Sequence, residues 1–155
     1  MPMKGGRSDL RAVDRWDDGV GWIAHPDEGM RRASHAIESG GEAWVVDPVD
    51  ADGVDGLIAE VGPVAGVVTC LDRHTRDAAQ VARRHDVPVF VPSWFDDVAV
   101  DAPVERFDRE LGGMDVLRVR NKNAPPWQEI ALQAGDTLYV PEAVGSADYY
   151  CAPGE

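Results

Sequence analysis

The chain has 155 residues, 44% of them hydrophobic, which is enough for one domain to bury a core without a disulfide or a metal. It carries 28 acidic against 15 basic residues, and the net charge of -13, rich in Asp and poor in Lys, is spread along the chain. From this charge we expect a salt-adapted protein with an acidic surface that does not bind nucleic acid. No apolar run reaches the ~20 residues of a membrane span, and the first residues lack the apolar centre of a secretory signal. We therefore expect a cytoplasmic protein that does not bind membranes.

The first third of the chain predicts strands. Residues 1–15 are rich in charge and are interpreted as a loose N-terminal arm or an edge strand, ahead of a single domain over 16–155. Residues 19–26 predict a short strand that Pro26 ends. Residues 33–50 predict two strands around a Ser-Gly-Gly turn, so the simplest interpretation is a hairpin.

The middle third has an α/β pattern. Apolar residues at intervals of three and four predict a helix over 51–62, and residues 75–86 predict a second helix with Arg76 on its polar face. Apolar strands are predicted at 65–70 and 87–92. The last third alternates and predicts a strand at 114–120, a hairpin at 127–141 with Gly-Asp at its turn, and a closing helix from 143.

Three stretches carry a resemblance to a known family. They are "VVDPVD" at 45–50, "TCLDRHT" at 69–75 and "PPWQEIALQAGDTLYVPEAVGS" at 125–146. In the order of the predicted elements, and in the residues at which those elements end, they resemble the metallo-β-lactamase superfamily over about residues 16–150. The resemblance implies a shortened αββα sandwich, with mixed sheets inside and helices outside.

The metal motif of that family is largely lost. Matching Thr69 to the family's Thr puts Cys70 and Asp72 at its first two histidines, His74 at its Asp and Thr75 at its third histidine. Glu142 stands at the bridging Asp. No histidine lies between 115 and 129, where the polar stand-ins are Asn121, Asn123 and Glu129, and the family's last histidine is absent.

The altered residues still include metal-binding types. Cys70, Asp72 and His74 alternate, and in an extended segment they would point the same way, with Glu129 or Glu142 as a fourth ligand. A thiolate with two carboxylates would make zinc a weak Lewis acid. We therefore predict no catalytic residue and no metal cofactor. The alternative is zinc held by Asp72, His74 and Glu142.

A purely structural interpretation competes with any site at 70–77. Asp72 or Thr75 would cap the second helix, and Asp77 would favour its positive end. Cys70 would pack as a small apolar residue, and His74 would lie on the surface. Cys70 and Cys151 are expected to be free thiols.

Three functional hypotheses follow. The first is a degenerate, non-hydrolytic member of the family that binds an unknown small molecule or protein. The second is a metal-dependent hydrolase of an ester, thioester or phosphoester. The third is an interaction subunit that docks through loops bearing Trp94, Phe95 and Trp127. The oligomeric state is not predicted. The candidate pocket residues are Cys70, Asp72, His74, Asp77, Trp127, Glu129 and Glu142.

Overall fold

A computed structural model describes residues 10–27, 32–96 and 98–144. Its first sheet contains strands β1 (Arg11–Trp16), β2 (Gly19–Ile23), β3 (Ala33–Ser39), β4 (Glu42–Val46), β5 (Val64–Val68), β6 (Val89–Pro92) and β7 (Val104–Phe107). Helix α1 (Val54–Val61) joins β4 to β5, and helix α2 (Ala78–Arg84) joins β5 to β6. The second sheet contains β8 (Glu110–Leu111), β9 (Met114–Asn123), β10 (Pro126–Ala134) and β11 (Thr137–Tyr139).

Strand order in the first sheet follows chain order, from β1 to β7. The pairs from β1 to β4 are antiparallel, and the pairs from β4 to β7 are parallel. The second sheet has the order β11-β10-β9-β8 and is antiparallel throughout. The helices therefore occur where parallel neighbours require a crossover.

The helices and central strands bury the residues that the apolar pattern marks. Helix α1 buries Val54, Leu57 and Ile58. Strand β4 is buried from Ala43 to Val46, as expected for a strand covered on both faces. Helix α2 likewise buries one face, made of Ala78, Val81 and Ala82.

The two sheets pack against each other through a shared core. Trp44 of β4 lies against the turn between β8 and β9, where a Cβ on Gly112 would come within 2.3 Å of its ring. Ser39 Oγ donates to the Gly112 carbonyl at 2.7 Å. At the other side, Trp16 Nε1 donates to Thr137 Oγ1 at 3.0 Å. The sandwich is thus closed at both ends of the second sheet.

Most of the predicted elements are confirmed, including the hairpin of β3 and β4, both helices and the hairpin of β10 and β11. The second helix begins three residues later than predicted, at Ala78. Residues 11–15, assigned to a loose arm or an edge strand, lie in edge strand β1. The predicted closing helix falls mostly on 145–151, outside the described residues. No helix in the described parts of the chain is long and apolar enough to cross a bilayer.

Candidate functional site

Asp47, the residue directly after β4, is fully buried at the centre of the candidate site. Its φ of 47° is left-handed, a conformation that Asp tolerates better than most residues. Oδ1 accepts the backbone N–H of Cys70 at 2.8 Å, and Oδ2 accepts the hydroxyl of Tyr139 at 2.8 Å. Oδ2 also lies 3.1 Å from Nδ1 of His74. One carboxylate therefore ties β4 to the loop after β5 and to the second sheet.

His74 is engaged at both ring nitrogens. Nδ1 faces a carboxylate and donates to Asp47, while Nε2 lies 3.3 Å from Arg76 Nη2 and 3.4 Å from Glu142 Oε1. Arg76 is itself anchored, since Nη1 donates to the carbonyls of Ala33 and Asp47 at 2.8 Å each. His74 is only 8% exposed, so the expectation of a surface residue is wrong. Arg76 is half-buried and does not lie on a helix face.

Glu129 of β10 is fully buried and accepts three hydrogen bonds. Oε1 accepts the indole N–H of Trp127 at 2.7 Å. Oε2 accepts the backbone N–H groups of Glu142 at 3.1 Å and Ala143 at 2.8 Å. Glu142 in turn accepts from Arg73 Nη2 at 2.7 Å. These bonds bring the segment after β11 and strand β10 to the loop that follows β5.

Six of the seven candidate pocket residues therefore lie around one rim. We call this group, with one neighbouring arginine, the rim cluster; it consists of Cys70, Asp72, Arg73, His74, Trp127, Glu129 and Glu142. Asp77 lies apart from it, immediately before α2, where its Oδ2 accepts the backbone N–H of Asp50 at 2.8 Å.

The segment that carries Cys70, Asp72 and His74 is not extended, so the expectation that their side chains point the same way is wrong. His74 N–H donates to the carbonyl of Leu71 at 2.8 Å, which closes a tight turn. Leu71 pairs with Glu129 as an isolated bridge, so β10 fixes the position of this turn. Neither Asp72 nor Thr75 caps α2, which Asp77 precedes without a side-chain capping bond.

The rim cluster does not fit the zinc centre that the family resemblance implies. Among the described residues, no three His, Cys, Asp or Glu side chains are grouped to hold a metal ion. Both nitrogens of His74 and both oxygens of Glu129 already have partners. Burial, with Asp47 and Glu129 nearby, raises the pKa of Cys70 well above its ordinary value. Zinc binds the thiolate, so it would have to displace a proton that this environment holds on Cys70.

The sequence interpretation missed three residues of this network: Asp47, Arg76 and Tyr139. Asp47 had a signal, because it is the Asp of the matched "VVDPVD" stretch. Arg76 was assigned to the wrong environment because the second helix was predicted to start at 75. Tyr139 had no signal, since one aromatic residue at a strand end fits many roles.

A cavity lies beside this network, between β1, β3 and β11. It has a volume of about 320 Å³ and is lined in part by Trp16, His35 and Tyr139. Burial lowers the pKa of His35, although Asp14 at 3.5 Å opposes that shift. Burial also raises the pKa of Tyr139 well above its ordinary value, with Asp47 adding to the shift. Tyr139 connects this cavity to Asp47.

The fold is that of solved metallo-β-lactamase superfamily structures. TMB-1 is 13% identical with a TM-score of 0.63, over 90% of this chain and 72% of that one. DIM-1 metallo-β-lactamase exposed to ceftazidime is 12% identical with a TM-score of 0.63, over 90% and 73%. ETHE1 from Myxococcus xanthus is 17% identical with a TM-score of 0.54, and this chain covers 59% of its length.

These similarities show a metallo-β-lactamase-like fold, as the sequence predicts, and this chain spans about 72% of the length of TMB-1. No model of a known sequence family matches the chain, and no curated protein matches it.

Proposed function

We propose that this protein uses a metallo-β-lactamase-like fold for binding and not for hydrolysis, with the rim cluster as part of the binding site. The observation that carries the proposal is the state of the potential ligands. His74, Glu129 and Glu142 are bonded to groups of the protein itself, and two of those groups are the guanidinium cations of Arg73 and Arg76. Zinc would have to compete with these internal bonds for each donor.

The rival proposal of a hydrolase with an unusual ligand set has one feature in its favour. Asp72 Oδ1 is buried and has no hydrogen-bond partner among the described residues. A single carboxylate oxygen is too few for a zinc site, which needs three or four converging donors. The internal bonding of its neighbours therefore favours the non-hydrolytic function.

The interaction hypothesis rested on Trp-bearing loops. Trp127 lies in strand β10, and Phe95 is only 3% exposed. Trp94 and Phe95 pack edge to face at 5.0 Å, which is typical of a loop anchored in the fold. Trp127 is half-buried and remains available as a wall of a binding site.

Metal analysis tests the proposal. The protein is purified in molar salt, incubated with excess zinc, desalted into the same buffer and analysed by atomic emission. We expect much less than one zinc per chain, and no turnover of ester, thioester or phosphoester substrates above buffer.

Matched variants sharpen this experiment. About one zinc per chain that is lost in Asp72→Asn, but kept in Asp52→Asn in the loop before α1, would contradict the proposal. It would establish the metal-dependent hydrolase instead if turnover followed the same pattern.

A further inference from the structure

Two cationic side chains lie over the ring of Trp127 beside the rim cluster, and a third cationic residue occupies the cross-strand position opposite it. The guanidinium carbons of Arg120 and Arg73 lie 4.2 Å and 5.1 Å from its ring centroid. Lys122 is the direct cross-strand partner of Trp127, and Arg120 is that of Glu129. Because cross-strand partners lie on the same face of a sheet, Lys122 and Arg120 share the face of Trp127. We call Arg73, Arg120, Lys122 and Trp127 the basic patch.

Two of these cations form no ion pair with an acidic side chain in the described residues. Arg73 is neutralised by Glu142 at 2.7 Å. In the parts of the chain that the structure describes, neither the guanidinium of Arg120 nor the ammonium of Lys122 makes a hydrogen bond or ion pair. Glu129, opposite Arg120, accepts only from neutral N–H groups. Two adjacent cations without a bonded acid stand out on a chain whose net charge is -13.

The stacking geometry leaves the donors of Arg120 usable. A guanidinium that lies over an aromatic ring keeps its N–H groups at the edge of its plane, where they match an oxyanion in a two-pronged contact. Arg120 is half-buried as a residue, but none of its guanidinium nitrogens is among the buried side-chain atoms that lack a partner, so its donors face solvent. A bound oxyanion would replace water at these donors.

The charge of the basic patch selects the kind of oxyanion. Arg120 and Lys122 together offer two cations that no acidic side chain in the described residues hydrogen-bonds, and a phosphate monoester, which carries about -1.5 to -2 at pH 7, can engage both. A single carboxylate would balance only one of them. A long polyanion such as a nucleic acid would meet the repulsion of the remaining acidic surface.

We propose that the basic patch binds a phosphate monoester group, which makes the ligand of the rim site a phosphorylated molecule. This inference rests on the proposed binding function. The phosphate group would lie between Arg120 and Lys122 at the edge of Trp127.

Calorimetric titration tests the proposal directly. Wild-type protein is titrated with inorganic phosphate and with pyrophosphate at pH 7, with chloride replaced so that the ionic strength stays constant. We expect saturable binding that Arg120→Gln weakens about tenfold or more, because charge-assisted hydrogen bonds to the anion are lost. Lys122→Gln should weaken the binding in the same direction.

Arg109→Gln is the matched control, since Arg109 is exposed between β7 and β8 and its loss changes the net charge equally. It should leave the affinity unchanged within about twofold. Equal weakening by Arg109→Gln and Arg120→Gln would overturn the proposal, because the affinity would then depend only on the net charge of the protein and not on a contact with Arg120. Near-ultraviolet circular dichroism confirms that each variant is folded.

A second titration identifies where the phosphate group comes from. Vesicles containing phosphatidic acid present the same monoester as a lipid headgroup, and vesicles of phosphatidylcholine are the control. Arg120-dependent binding of soluble phosphate assigns a small molecule, and Arg120-dependent binding of phosphatidic acid vesicles alone assigns a headgroup. Binding of neither overturns this inference, while the metal analysis above decides separately on the proposed loss of hydrolysis.

Discussion

At the residue scale, Asp47 organises the site. It accepts hydrogen bonds from Cys70 and Tyr139, faces His74, and keeps a left-handed backbone conformation. The residue types of Asp47 and of the turn at 70–74, though not that of Tyr139, could be predicted from the "VVDPVD" and "TCLDRHT" stretches. Their bonding could not, because the turn that closes at His74 is fixed by pairing with β10, more than fifty residues further along the chain.

Asp47 should therefore be essential for stability. Asp47→Ala leaves two buried donors and one half-buried donor without an acceptor and puts Ala in a conformation that it disfavours, so we expect the free energy of unfolding to fall by about 3 kcal/mol or more. Asp47→Asn keeps the backbone preference and one acceptor oxygen and should cost less. Urea unfolding at constant molar salt, followed by tryptophan fluorescence, measures both changes.

Exposed Asp52, in the loop before α1, provides the control for Asp47. Asp52→Ala should change the free energy of unfolding by no more than about 0.5 kcal/mol. If Asp47→Ala changed it as little as Asp52→Ala, the hydrogen bonds of Asp47 would not hold the site together.

At the scale of elements, the apolar periodicity predicted the helices and the buried strands, because each must cover a face of the core. The start of α2 was predicted too early, since Thr75 and Asp77 both look like helix starts and only the tertiary turn decides between them. Short strands such as β8, with two residues, carry too little pattern to be predicted.

The contact between the two sheets at Trp44 is testable with a pair of glycines. Gly112 has a φ of 58° and its Cβ would lie 2.3 Å from the Trp44 ring, whereas Gly135 has a φ of 55° and open space around it. Gly135→Ala should cost about 1 kcal/mol from backbone strain alone. Gly112→Ala should cost about 1 to 3 kcal/mol more, because the ring must move.

Chemical unfolding of both glycine variants gives the two free energies, and their difference isolates the contact with Trp44. Equal losses in Gly112→Ala and Gly135→Ala would mean that the sheets accommodate the added methyl group without resistance.

At the scale of the whole molecule, the main feature is the negative net charge. The net charge of -13 gives the surface a strong self-repulsion in dilute buffer. This repulsion could be predicted from the amino-acid composition alone. The position of the basic patch could not, because it depends on the register between β9 and β10. Salt adaptation remains a prediction.

The thermal midpoint, Tm, should rise with potassium chloride, by at least about 5 °C between 0.1 M and 2 M, because screening removes the repulsion. Asp52→Lys combined with Glu105→Lys makes the net charge less negative by four units, at two exposed sites. This double variant should show a smaller rise in differential scanning fluorimetry. A Tm that is insensitive to salt in both proteins would contradict the prediction of salt adaptation.

The strand order of the first sheet bears on how the protein emerges from the ribosome. Each strand from β2 to β7 pairs with the strand that precedes it in the chain. A newly synthesised strand can therefore add to the edge of a sheet whose earlier strands have already been translated. The inner surface of that sheet stays uncovered until β9 and β10 have been translated, because Met114, Ile130 and Leu132 complete the core. A nascent chain arrested before residue 130 thus exposes the apolar inner face of the first sheet, and this is the stage at which aggregation competes most with folding.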